Sequence, residues 1–499
     1  MRPGVGAIVG FGAVVGLSAA LSVPSLAADV LAPPKPPAAA LQPYVKLKPG
    51  LIALVHARLI DGTGAPEEAD RTIVLDRAKI AAVLPPGAPP PAGSQVIDLT
   101  GKTVLPGLVG MHDHLFYIAR PNLDAAGRSD APILAPQMSF SAPRMYLAAG
   151  VTTLRTTGSV EPYADLGLKQ QIDAGELAGP HLDVTGPYLE GPGSPFVQMH
   201  QLKDAEDARR TVAFWADQGA TSFKAYMFIT RAELGAAILE AHRRGLKITG
   251  HLCAVTYPEA AELGIDDLEH GFFVNTQLDP GKTADVCSSG EGDPTLRAMT
   301  PDSPAARALI QLLVSRRVAV TSTLPVFEQD LPEHAPLNPR AMATLSPQAL
   351  EAYLYSRNRR ATQTAARRDE ALLAWRNDLA LERAFTAAGG LLLAGPDPTG
   401  NGGVLPGFGD QREVELLVEA GFTSEQAIRI ASYNGAVFMG LADRIGSVAP
   451  GKDADLVIVD GDPAKAIADI EKVETVFKDG VGYDPAALLQ SVRGRYGEY

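Results

Sequence analysis

From about residue 104 the chain alternates short apolar runs with stretches of helical period. The runs are "VLPGLVGMHDH", "VTTLRTTG", "HLDVTGPYL", "TSFKAYM", "LKITGHL", "DDLEHG", "VAVTSTL" and "GLLLAGPD". Between the fourth and fifth lies "RAELGAAILEAHRRG", in which Leu234, Ala237, Ile238 and Ala241 fall at i, i+3, i+4 and i+7, and Gly245 stops the pattern. A strand, an amphipathic helix and a second strand make a βαβ unit. Eight such units with strands buried on both faces predict an α/β fold of the (β/α)8 TIM type, over residues 104–445.

Strand-like runs flank this region on both sides. "LIALVHARLIDGTG", "RTIVLDRAKIAAVLP" and "SQVIDLTGKTVLPG" precede it, and "ADLVIVDG" and "VETVFKDG" follow it. These predict a small discontinuous β-sandwich built from residues 45–103 and 446–485, with 486–499 as a tail. "TSEQAIRIASYNGAVFMG" reads as helical, opened by Thr423 with Gln426 at capping-box spacing. Residues 272–303 and 325–385 exceed ordinary loop length, and both follow predicted strands. Insertions there lie over the face where barrel active sites are built, so they are expected to form a lid or pocket wall. No internal repeat is evident.

The N-terminus changes the picture. "MRPGVGAIVGFGAVVGLSAALSVPSLAADV" places Arg2 before an apolar stretch ending in small residues, which predicts a secretory signal over residues 1–27 and a periplasmic or secreted mature chain. A retained membrane anchor is the competing reading. The Pro/Ala-rich segment 28–44 reads as an extended tether without a core of its own. The net charge of −13, with no basic run, argues against nucleic acid and anionic membrane surfaces as partners. A small-molecule substrate is expected instead, and homo-oligomerisation is left open. Only Cys253 and Cys287 are present, and two free thiols are expected, with a bridge as the alternative that export permits.

The candidate chemistry lies at the ends of the runs. His112 and His114 end the first, Lys224 lies in the fourth, His251 ends the fifth, His270 the sixth and Asp397 the eighth. With a side-chain period of two, His112 and His114 share a side while Asp113 points away. Any one of these histidines could be an ordinary hydrogen-bonded residue at a barrel mouth. Their convergence with Asp397 would be destabilising without a purpose. Imidazole and carboxylate suit zinc or a similar first-row divalent ion. Lys224 could snorkel from a strand end. Alternatively its amine, made nucleophilic by burial, could take up carbon dioxide and become an anionic carbamate able to bridge two cations about 3.5 to 4 Å apart. The other histidines, His56, His181, His242 and His334, are not placed to join this set.

"LPGLVGMHDHLF", "SFKAYM", "KITGHL", "GIDDLEHG", "LLLAGPD" and "IGSVAPGKDADLVIVDGDP", in this order over about residues 50–485, resemble the amidohydrolase superfamily, in its imidazolonepropionase-like and Xaa-Pro dipeptidase-like branch. The resemblance implies one metal on His112, His114 and Asp397, a second on His251 and His270, and carboxylated Lys224 bridging them. It further implies a hydroxide between two divalent ions attacking an amide carbonyl, with Asp397 carrying the proton to the leaving nitrogen. A dipeptide or N-acyl amino acid is the expected substrate. "SFKAYM" also resembles the hydantoinase and dihydroorotase branch, so a cyclic amide, or a lactone, is the alternative. A metal-containing binding protein without catalysis is the reading from a different class, and it leaves Asp397 without a task. Tyr226, His200 and Arg155 are candidate substrate contacts, each with a structural role as the competing reading.

Overall fold

The computed structural model describes Met1 and residues 30–118, 134–194, 196–399 and 403–497. Residues 2–27 of the predicted signal segment therefore lie outside the described residues. Among the described residues, no helix is long and apolar enough to cross a membrane.

All eight apolar runs form strands. With six strands ahead of them, β1 (Val45–Leu47), β2 (Leu51–Leu59), β3 (Glu68–Asp76), β4 (Lys79–Leu84), β5 (Gln95–Asp98) and β6 (Thr103–Pro106), these are β7 (Leu108–Gly110), β8 (Val151–Arg155), β9 (His181–Asp183), β10 (Ser222–Ala225), β11 (Lys247–Gly250), β12 (Asp267–Glu269), β13 (Ala319–Ser322) and β14 (Leu392–Ala394). The helices that follow them in turn are α1 (Ser141–Ala148), α2 (Pro162–Asp173), α3 (Ala205–Asp217), α4 (Arg231–Arg243), α5 (Tyr257–Leu263), α6 (Pro304–Arg316), α7 (Ala365–Ala387) and α8 (Phe408–Glu419). Strands β7 to β9 form one parallel sheet and β10 to β14 another. Parallel bridges Thr185–Ser222 and Leu189–Ala225 join the two sheets. On the other side, Met111 N–H donates to Ala394 O at 2.8 Å, which ties the chain after β7 to β14. This arrangement is consistent with the expected TIM-type barrel.

Local chemistry explains the helix boundaries. In α4 the Thr230 hydroxyl accepts from Glu233 N–H while the Glu233 carboxylate returns to the Thr230 N–H, a reciprocal cap. Leu234, Ala237, Ile238 and Ala241 are all buried, as their spacing predicts. The Thr423–Gln426 cap also forms, although that helix passes through a π-turn at Ile430–Asn434.

The two chain ends share one nine-stranded sheet. β6 lies between β2 and β15 (Leu456–Val459), and β1 pairs with β17 (Val481–Tyr483), which follows β16 (Val473–Lys478). Ile52, Leu54, Ile73, Val104, Leu456 and Phe477 form its buried core.

Two expectations need correction. The segment after the signal is not a free tether: Val30 and Leu31 are buried against Phe438, Leu441 and Ile445, and Leu41 is buried against Leu147 and Leu488. Three apolar side chains around the Pro/Ala run find apolar partners, which the run's composition does not reveal. The cysteines are likewise not free. Cys253 and Cys287 are bridged, with Cα atoms 4.7 Å apart. Cys253 lies two residues past His251, and Cys287 lies in the 272–303 insertion, so the bond pins that insertion beside the strand ends. Closing a loop over the 34-residue separation is worth about 4 kcal/mol on the chain-entropy account. The Cys253→Ser/Cys287→Ser variant is therefore expected to unfold at markedly lower denaturant concentration, and to be cleaved faster between residues 272 and 303 in limited proteolysis.

Candidate metal centre

The polar residues predicted at strand ends do converge. β7 stops at Gly110, so His112, Asp113 and His114 lie just beyond the strand rather than on it. The two imidazoles still face one another, ring centroids 5.4 Å apart. Asp113 turns away toward Asp410 and Tyr146, as alternation predicts. Lys224 is the penultimate residue of β10, His251 follows β11 and His270 follows β12. His270 lies 4.5 Å from His112 and 4.4 Å from His251, centroid to centroid.

Asp397 arrives by a different route, three residues beyond β14. Its N–H donates to His112 O at 3.0 Å, and Gly395 permits the approach, since a Cβ there would lie 2.1 Å from His112 N. Asp397 and His270 both have left-handed backbones, with φ of 54° and 71°. Such strain costs on the order of 1 to 3 kcal/mol per residue and is retained where surrounding structure imposes it.

The donor atoms form a compact set. His112 Nε2 and His114 Nε2 lie 3.7 and 3.1 Å from Asp397 Oδ1, and Lys224 Nζ lies 3.0 Å from His112 Nε2. Asp397 Oδ1, His114 Nδ1 and His251 Nδ1 are buried without an aligned hydrogen bond. Uncharged imidazoles are what a cation requires, and burial supplies them. Burial first, then the Lys224 charge, brings His112 down to about 4 and His251 down to about 3. Burial also lowers Lys224 to about 8, against the opposing pull of Glu269 and Asp397. Burial would raise Asp397, but His112 and His114 more than offset it and keep the carboxylate ionised. The set fits divalent cations by donor chemistry and by its unpartnered buried atoms.

Behind His112 stands a buried chain of charge that the motif reading missed. His112 Nδ1 is 2.8 Å from Glu269 Oε2, and Arg155 Nη2 donates to Glu269 Oε1 at 2.7 Å. Arg155 Nε also donates to Met111 O at 3.2 Å. Arg155, expected as a substrate contact, is fully buried and committed to these partners and to Asp267. Glu269 fixes the ring so that Nε2 faces Lys224 and Asp397. The one signal for it in the sequence was a carboxylate inside the buried run "DDLEHG". His270 is oriented in the same way by Thr323 Oγ1, 2.9 Å from its Nδ1. Partners of this kind typically govern metal affinity or activity by about 10- to 100-fold. Glu269→Gln keeps the size but removes the charge facing Arg155 and His112. A loss of that order in kcat/KM, with weaker metal binding by titration, is the expected outcome.

Tyr226 lies beside the centre, its ring 4.9 Å from both His251 and Tyr188. His200 is half exposed and 3.2 Å from Asp207, and no contact joins it to the cluster among the described residues. The two insertions meet over the site: Phe273 stacks on Phe327 at 3.8 Å, and Phe327 packs against His270 at 5.6 Å. His56, His242 and His334 pair with carboxylates elsewhere.

Residues 404–481 match the family described as Amidohydrolase family. No curated protein matches the chain. Among solved structures, a Bifidobacterium longum protein assigned as a prolidase is 24% identical, with a TM-score of 0.62 over 89% of this chain and 100% of that one. A bottromycin amidohydrolase is 20% identical, with a TM-score of 0.66 over 93% and 96% of the two chains. An ochratoxinase from A. niger is 16% identical, with a TM-score of 0.61 over 90% and 100%. At these identities the likeness is one of fold. The match over residues 404–481 agrees with the amidohydrolase resemblance of the motifs, and the solved structures share the fold.

Proposed function

We propose that this chain is a metal-dependent hydrolase with a (β/α)8 barrel that cleaves a carbon–nitrogen amide bond, of a dipeptide or an N-acyl amino acid, after export from the cytoplasm. The observation that carries the reading is the convergence of His112, His114, Lys224, His251, His270 and Asp397 from five strand ends. In this reading His112, His114 and Asp397 would hold one divalent ion, His251 and His270 would hold a second, and Lys224, once carboxylated, would offer its oxygens to them. Carboxylation forms an N–C bond from the amine lone pair to carbon dioxide and releases one proton. The lowered basicity of Lys224 supplies the free amine that this needs. Bound ions would acidify a water molecule and polarise the scissile carbonyl.

The chain's own groups do the rest. Asp397, kept ionised, accepts the proton of the attacking water and delivers it to the leaving nitrogen, so that an acid and an amine depart. Glu269 and Thr323 hold His112 and His270 in place. Tyr226 is positioned beside His251 to offer its hydroxyl to a substrate carbonyl or carboxylate. The Phe273–Phe327 pair limits water on one side. The disulfide fits an exported chain, since such bonds persist in oxidising compartments.

The test is a screen of purified, metal-loaded protein against dipeptides and N-acyl amino acids, with cyclic amides and lactones as competing panels. Turnover of linear amides is expected. Activity confined to cyclic amides or lactones would replace the substrate class, and no turnover in any panel would favour a metal-containing binding protein.

A further inference from the structure

A second group of metal-ligating side chains gathers at the opposite end of the parallel strands. His181 opens β9, Asp455 immediately precedes β15, and Asp479 immediately follows β16. Their donor atoms lie within 4.8 Å of one another. His181 Nε2 is 3.8 Å from Asp455 Oδ2 and 3.4 Å from Asp479 Oδ1, and the His181 and Asp455 side chains are only 3% and 2% exposed. We propose that His181, Asp455 and Asp479 form a structural site for a zinc-like divalent cation, one that fastens the terminal sheet to the parallel strands.

The spacing is close to what such an ion needs. Donors at about 2.0 to 2.2 Å around a tetrahedral ion stand about 3.3 to 3.6 Å from one another, and the 3.8 and 3.4 Å from His181 Nε2 to the two carboxylate oxygens come near this. The remaining atoms of the carboxylates are already used. Asp455 Oδ1 accepts the Asp479 N–H at 2.7 Å, and Asp479 Oδ2 accepts from Lys478 Nζ at 3.1 Å. That leaves Asp455 Oδ2 and Asp479 Oδ1 facing the imidazole, each carboxylate held in orientation by a partner behind it. Asp455 Oδ2 has no hydrogen-bond partner although it is buried, a costly state for a carboxylate oxygen.

Charge points the same way. Two carboxylates share this interior with one ammonium, since Lys169 nearby is committed to Asp173 at 3.0 Å. The site therefore lacks one positive charge. A proton on Asp455 would supply it locally. A divalent ion would more than supply it, and would also tie two chain segments, near residues 455 and 479, to β9.

A zinc-edge anomalous difference map of the intact, zinc-saturated protein tests this without any variant. A peak among His181, Asp455 and Asp479 supports the proposal. No peak there overturns it, whatever is found at His112, so its fate is separate from that of the hydrolase reading. In solution, Asp455→Asn and His181→Gln should each lower bound zinc by one ion per chain while leaving the ions at the histidine cluster. Thermal unfolding of these variants should also respond less to chelation than that of the parent. Equal zinc content in the parent and both variants would overturn the proposal.

Discussion

Asp397→Asn is expected to fold, to retain metal and to lose turnover by about a hundredfold or more, the lower end of what a positioned acid–base group contributes. The substitution preserves size and one oxygen, so Gly395 still brings the chain against His112 and the Asp397 N–H still reaches His112 O. What changes is the carboxylate 3.1 Å from His114 Nε2, whose charge and proton affinity both fall. KM should change less than kcat, because the loss is felt when the proton moves rather than when substrate binds. His112→Ala provides the contrast: it removes a donor and leaves Glu269 without its imidazole, so metal occupancy and activity should fall together. The measurement is kcat, KM and bound metal on the same samples. A fully metal-loaded Asp397→Asn within a few-fold of the parent would place the proton shuttle elsewhere.

Lys224→Met should lower both metal stoichiometry and activity, the latter by about a hundred- to a thousandfold if the lost bridge costs several kcal/mol of transition-state stabilisation. Methionine retains the buried volume among Tyr188, Tyr226 and His112 while removing the amine, so a folding defect is not the expected cause of the loss. The parent, prepared free of carbon dioxide, should gain ions and activity when bicarbonate is added with metal. Lys224→Met should not respond. Elemental analysis showing one ion per chain in the parent at saturation, with no response to bicarbonate, would make the centre mononuclear and Lys224 an unmodified amine.

The sequence by itself determined the elements and the chemistry offered at their ends. Strand runs, the α4 stripe and the Thr423–Gln426 cap are set by neighbours within a few residues, so periodicity and turn residues suffice to read them. The same alternation correctly separated Asp113 from His112 and His114, even though the strand ends before them. Tertiary structure alone decided what those residues touch. Glu269 and Arg155 are 114 positions apart, and their pairing depends on how the parallel strands lie side by side. It turned Arg155 from a candidate contact into a buried support for His112. The partnership of β6 with β15 and the bridge between Cys253 and Cys287 likewise join segments whose approach no local period encodes. Val30, Leu31 and Leu41 looked like parts of a tether because the apolar surfaces they cover are built from residues more than a hundred positions away. His181 looked incidental for the same reason: both its carboxylate partners come from the far end of the chain. Local order follows from backbone geometry and side-chain period, whereas a site is a meeting of distant segments, fixed only once the core has packed.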